Sequence, residues 1–181
     1  MLRIIAGKYR SRKIEQPSKT TTRPTVDRAR EAIFSSIHFQ IKDTEVLDLF
    51  SGSGAFCLEA LSRGAKHATC IEKDSKAYKI IQLNKASLGE KNLDIYNTDA
   101  LSFLNEITNQ KYDFIYLDPP FKDKELLVNC IDLIVDKNIL NLNGKIIIET
   151  DWADFKYERN NYVITKNKKY GKIYFYYIEL Q

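Results

Sequence analysis

A chain of 181 residues suits one domain with room for a short additional arm. With 44% hydrophobic and 29% charged residues it can bury a full core under a soluble surface, and no run of about 18 apolar residues is present to cross a membrane as a helix. Charge is uneven: residues 1–30 hold nine Lys/Arg against Glu15 and Asp27, a balance of +7, while the remainder stands at −3.

Residues 1–24 carry Gly7, Pro17, Pro24 and a polar stretch from Ser18 to Thr22, which predicts a short hairpin or irregular arm followed by a linker. Met1 to Arg12 is basic with no long apolar stretch behind it, so a signal peptide is not expected. A basic arm on a slightly acidic body fits a polyanion, most simply nucleic acid; a solvated basic tail is the plainer alternative. Thr25 or Asp27 is placed to cap a helix running to about Phe39, with Ala29, Ala32, Ile33, Phe34 and Ile37 on one face.

From Glu45 onward strands and helices alternate. Strands are predicted at 45–50, 67–72, 93–97, 112–118 and 144–150, and helices at 54–63, 75–88, 101–108 and 124–136. Gly64 and Gly89 stop two of the helices. Such alternation implies a parallel sheet with helices on both faces. After Asp151 two strand-like runs, 162–166 and 172–180, flank a basic turn holding Lys166, Lys168, Lys169 and Gly171, and a closing hairpin would add an antiparallel strand. The Tyr174 to Tyr177 run reads as a strand packed on both faces, and Trp152 as a packing residue. Cys57, Cys70 and Cys130 are odd in number, widely spaced and set among apolar residues, as expected of reduced core thiols in a cytoplasm. His38 and His67 have no partner at ligand spacing, so no metal site is expected.

Two strand ends carry the chemistry. In Asp48-Leu49-Phe50-Ser51-Gly52-Ser53-Gly54 a strand runs into a helix start. The glycines permit positive φ and close approach of a ligand, and the helix beyond them offers unpaired N–H groups. Glu72 closes the next strand, where an acid accepts from ribose hydroxyls. The full dinucleotide fingerprint is missing, since Ala55 and Cys57 follow Gly54. Asp48 would repel a pyrophosphate, so a cationic nucleoside without phosphates suits it better. S-adenosylmethionine has a sulfonium, an ammonium and an adenosine, and Asp99, before Ala100, is placed to accept from the adenine amine or to cap the next helix. The cofactor candidates are therefore Asp48, Phe50, Ser51, Gly52, Gly54, Glu72, Asp99 and Ala100.

The second strand end is Asp118-Pro119-Pro120-Phe121, after the apolar run from Phe114 to Leu117. The prolines fix φ and remove two donors, leaving acceptors. The Asp118 side chain and the Pro119 carbonyl suit an exocyclic amine, and Phe121 suits stacking on an unstacked base. A rigid turn with a capping aspartate is the plainer alternative.

Together these residues resemble class I S-adenosylmethionine-dependent methyltransferases acting on base amines. The stretches Leu2 to Gly7, Arg10 to Lys13, Arg23 to Thr25, Asp27 to Phe34 and Leu47 to Ala55, with the Asp-Pro-Pro-Phe tetrad, are similar to the RsmD family. That resemblance implies a Rossmann-like α/β fold with a mostly parallel seven-stranded sheet, its last strand antiparallel. The expected division is a basic arm, 1–24, and a methyltransferase domain, 25–181. The activity implied is methylation of the N2 amine of a guanine in 16S ribosomal RNA, on an assembled or partly assembled 30S particle in the cytoplasm. Asp118, Pro119, Pro120 and Phe121 would take the guanine, and Arg10, Arg12, Lys13, Arg23 and Arg28 the RNA; Thr25 and Arg28 are weaker cofactor candidates. The tetrad alone would serve a DNA adenine or cytosine amino methyltransferase equally well, and a non-catalytic RNA-binding assembly factor is a further alternative. A dehydrogenase fits the glycine loop least.

Overall fold

The computed structural model describes residues 2–17 and 24–181, and for 24–27 the backbone alone. The anticipated cap at Thr25 or Asp27 therefore lies outside the described side chains. The arm is a hairpin: β1 (Leu2–Arg3) pairs antiparallel with β2 (Lys13–Ile14). Helix α1 (Pro24–Ser36) follows, and it stops short of Phe39, which stands 97% exposed.

The alternating segment then gives β3 (Glu45–Asp48), α2 (Ala55–Ser62), β4 (His67–Ile71), α3 (Ser75–Leu88) and β5 (Leu93–Tyr96). It continues with α4 (Ala100–Glu106), β6 (Tyr112–Leu117), α5 (Lys124–Asp136) and β7 (Leu140–Thr150). Side chains mark the helix starts: Asp74 accepts from two N–H groups of α3, and Asp123 caps α5. Gly89, at φ 66°, ends α3. Three strands close the chain: β8 (Glu158–Arg159), β9 (Tyr162–Tyr170) and β10 (Ile173–Leu180).

The sheet order is β5-β4-β3-β6-β7-β10-β9-β8. Strands β3 to β7 run parallel, and β10 lies antiparallel between β7 and β9. This is the expected seven-stranded arrangement with its last strand antiparallel. An eighth strand, β8, adds two exposed residues at the edge, too short and polar to register as a pattern. β7 starts at Leu140, earlier than expected, because an irregularity between Tyr112 and Phe114 of β6 absorbs the polar Asn141–Gly144 stretch. Lys166, Lys168 and Lys169 lie on β9, and the turn is Gly171-Lys172 between paired Tyr170 and Ile173.

Residues along each strand alternate between two cores. On one face Val46, Phe114, Tyr116, Ile147, Phe175 and Tyr177 pack with α1, α2, α3 and the arm residues Leu2, Ile4 and Ile14. On the other Leu47, Ile115, Ile148, Tyr176 and Ile178 pack against α4 and α5, with Trp152 against Phe155 at their margin. Cys57, Cys70 and Cys130 are buried free thiols. The arm is clamped by Glu59, fully buried on α2, which accepts from the N–H groups of Ile5 and Ala6 at 2.8 and 3.0 Å and pairs with Arg63 at 2.8 Å. Chain order reverses between β3 and β6, the crevice position in which open α/β sheets hold ligands. Among the described residues no helix is long and apolar enough to cross a membrane.

Candidate active site

The C-terminal ends of β3, β4 and β6 converge here, bringing the two motifs face to face. Asp48 ends β3 with its carboxyl buried, accepting the Phe50 N–H at 3.1 Å. Burial, aided by the charges of Glu72 and Glu149, pushes Asp48 up to about 7 despite that bond. The Ser51 hydroxyl donates to the Asp48 carbonyl at 3.0 Å and locks the turn.

Glu72, at the end of β4, accepts the Gly52 N–H and the Asp74 N–H, each at 2.8 Å. It thus ties the glycine loop to the neighbouring strand end while lining the cleft. Gly54, at φ 76°, packs so closely on α3 that a Cβ would stand 2.9 Å from Ile81 Cγ2. Gly52, at φ 54°, has nothing within 4 Å of that position, so its backbone faces open space. Asp99 caps α4, accepting from the Ser102 N–H at 2.9 Å and its hydroxyl at 2.7 Å, and these bonds hold its carboxyl below the usual range.

A cleft of about 530 Å³ runs between Phe50, Gly52, Glu72, Asp99 and Ala100 on one side and Asp118, Pro119, Pro120 and Phe121 on the other. A second cavity of about 270 Å³ lies toward the arm and is lined by Asp48, Ser51, Tyr116, Asp118, Glu149 and Arg30, among others. Phe50, Gly52 and Asp118 border both. The Pro120 carbonyl accepts the Asp123 N–H at 2.8 Å, so the tetrad turns directly into α5. Burial, with the charges of Glu149 and Asp48, pushes the Asp118 carboxyl well above the carboxylate range. Glu149 is raised by burial as well, and accepts from the Tyr116 hydroxyl at 2.5 Å. The donor set is thus acidic and rich in acceptors. It fits a ligand bearing an ammonium, a sulfonium and ribose hydroxyls; the cations on its walls are Lys73 in the larger cleft and Arg30 in the smaller, among the described residues.

The family model described as Conserved hypothetical protein 95 matches residues 2–179. Ribosomal RNA small subunit methyltransferase D of Buchnera aphidicola subsp. Baizongia pistaciae is 37% identical over 177 residues, covering 96% of this chain and 89% of that protein. Its namesake from Escherichia coli K12 is 39% identical over 150 residues, covering 83% of this chain and 75% of that protein. The chain belongs to the RsmD family. Among solved structures, yhhF from Escherichia coli superimposes with a TM-score of 0.88 at 35% identity, and HI0767 from Haemophilus influenzae with 0.84 at 32%, each covering 99% of both chains.

In this RsmD-family chain the residues singled out for the cofactor and for the guanine all border one continuous crevice, apart from Gly54, which shapes the loop from behind. The arm cations do not join them. Arg10, Arg12, Lys13 and Arg28 are exposed outside both cavities, and Arg12 donates to the Ser87 carbonyl at 2.7 Å. Arg23 and the Thr25 side chain lie outside the described residues. Tyr170 and Lys166, Lys168 and Lys169 likewise line neither cavity. Sequence reasoning missed Tyr116 and Glu149. The signals were present: Tyr116 stands two residues before Asp118 and so shares its face, and Glu149 breaks the Ile146–Ile148 run at the end of β7.

Proposed function

We propose that the protein transfers a methyl group from S-adenosylmethionine to the N2 amine of a guanine in 16S ribosomal RNA, within an assembled or partly assembled small subunit. What carries this reading is the shared wall of the two cavities: Asp118, where an amine would be held, stands beside the loop suited to a cationic nucleoside.

The bound cofactor supplies an electrophilic methyl group on a sulfonium. Asp48, Ser51, Gly52 and Gly54 would form its loop, and Glu72, Asp99, Ala100 and Phe50 would hold the adenosine. The Asp118 carboxylate and the Pro119 carbonyl accept the two amine hydrogens and favour a tetrahedral nitrogen, which frees its lone pair. Phe121 stacks on the base once it has left its helix. The N–C bond would form as the methyl–sulfur bond breaks to leave a neutral thioether, and the amine proton would pass to the Asp118 carboxylate, whose burial beside Glu149 and Asp48 raises its affinity for that proton. Alignment of the reacting atoms supplies much of the rate.

Arg10, Arg12, Lys13, Arg23 and Arg28 would engage the RNA backbone. The division into an arm, 1–24, and a catalytic domain, 25–181, matches that separation of tasks, and a ribosomal substrate puts the enzyme in the cytoplasm. A DNA amino methyltransferase would need a larger target-reading segment than this arm. To test the reading, labelled cofactor is incubated with unmethylated 30S subunits and, separately, with duplex DNA. Label is expected in 16S RNA, and Asp118→Ala is expected to abolish it while leaving cofactor binding nearly intact. Label in DNA, or in neither, would sink it.

A further inference from the structure

The tetrad explains how an amine is held but not why guanine is chosen over adenine or cytosine. We propose that Glu149 makes that choice by accepting the N1–H of the guanine while Asp118 holds the N2 amine beside it. This rests on the reading that the substrate amine belongs to a nucleic acid base.

Register places the two carboxyls together. Tyr116 pairs with Ile147 across β6 and β7, so Asp118 and Glu149, each two residues further on, leave the sheet on the same face and line the same cavity. Tyr116 donates to Oε2 of Glu149 at 2.5 Å, and this is the hydrogen bond that Glu149 makes among the described residues. One oxygen is thereby fixed and Oε1 is left to accept. Among the described residues the other charged side chains at this cavity are Asp48, on β3 next to β6, and Arg30, which donates to the Arg3 carbonyl at 2.6 Å and faces Glu59 at 3.9 Å.

Chemistry then selects the base. A carboxylate only accepts hydrogen bonds. The Watson–Crick edge of guanine offers two neighbouring donors, N1–H and the N2 amine. Adenine and cytosine each place a ring acceptor beside their amine, and a second carboxylate there would face a lone pair. Burial favours the protonated forms of both groups, but two facing donors favour the ionised ones, and in that state the adjacent pair fits guanine and repels the other two. A site built to meet a hydrogen-bonding group discriminates strongly against an analogue that lacks it.

The test uses 30S particles carrying either guanine or 2-aminopurine at the nucleotide that the wild-type enzyme methylates. 2-Aminopurine keeps the 2-amine but has an acceptor at N1. Wild-type enzyme is expected to favour guanine by roughly 10- to 100-fold in kcat/KM. Glu149→Gln, whose amide can donate to N1, is expected to lose most of its guanine rate and to close or invert that preference, with cofactor affinity by calorimetry unchanged. Equal wild-type rates on the two bases would overturn the proposal without any variant. So would a Gln variant that slows both bases alike, which marks a structural role, or one that weakens the cofactor, which marks a cofactor ligand. If wild-type enzyme leaves guanine unmethylated, the functional reading itself fails, an outcome distinct from the others.

Discussion

Replacing Asp48 by Asn separates what this residue does for the ligand from what it does to the fold. The carboxyl is buried, and moving it from 3.8 to about 7 corresponds to about 4 kcal/mol at pH 8, at about 1.4 kcal/mol per pH unit. The folded-state value is the higher one. Stability from this group is therefore full below the unfolded value of 3.8 and is lost as pH rises through about 7. Asn keeps an oxygen for the Phe50 N–H but brings an amide that must find a partner, so a net gain of about 1–3 kcal/mol is expected at pH 8. For a chain of this size that raises Tm by about 3–10 °C, and the gain should fade towards pH 4. Cofactor affinity should fall by about tenfold or more, since a charged hydrogen bond is lost. In the wild-type protein the same affinity should weaken below about pH 7 as Asp48 takes up its proton. Calorimetric melts from pH 4 to 8 and titration with S-adenosylmethionine read both effects. A variant less stable at pH 8, a gain that ignores pH, or an unchanged cofactor affinity would refute the reasoning.

Glu59→Ala should destabilise the protein by about 3–5 kcal/mol, because Arg63 and two arm N–H groups lose a buried acceptor; urea denaturation measures it, and a loss within experimental error would show that the arm is held by its apolar residues alone. Phe121→Ala should lower kcat/KM on 30S subunits by roughly 10- to 100-fold through lost base stacking, with S-adenosylmethionine affinity little changed. An unaltered rate would mean that the ring stays clear of the base.

Much of this architecture could be read from local pattern. The strands and helices from Glu45 to Thr150 follow hydrophobic period and glycine or aspartate punctuation, and the two motifs fall at strand ends where the sheet reverses. What escaped depends on contacts distant in sequence. Glu59 sits in a mostly apolar helix, and the docked arm together with Arg63 explains its burial. Glu149 looks like the polar end of a strand until the register of β6 and β7 sets it beside Asp118. Strand β8 holds two exposed charged residues and forms only because β9 offers an edge. Lys166, Lys168 and Lys169 resemble a turn by charge, yet the two-residue turn at Gly171 lets the strand run through them.

The most direct measurement is the mass and position of the modified nucleoside in 16S ribosomal RNA from cells with and without this gene. One N2-methylguanosine that disappears on deletion and returns with the wild-type gene, but not with Asp118→Ala, is the expected result. An unchanged set of modified nucleosides, or loss of a methyl group from another base or from DNA, would contradict it.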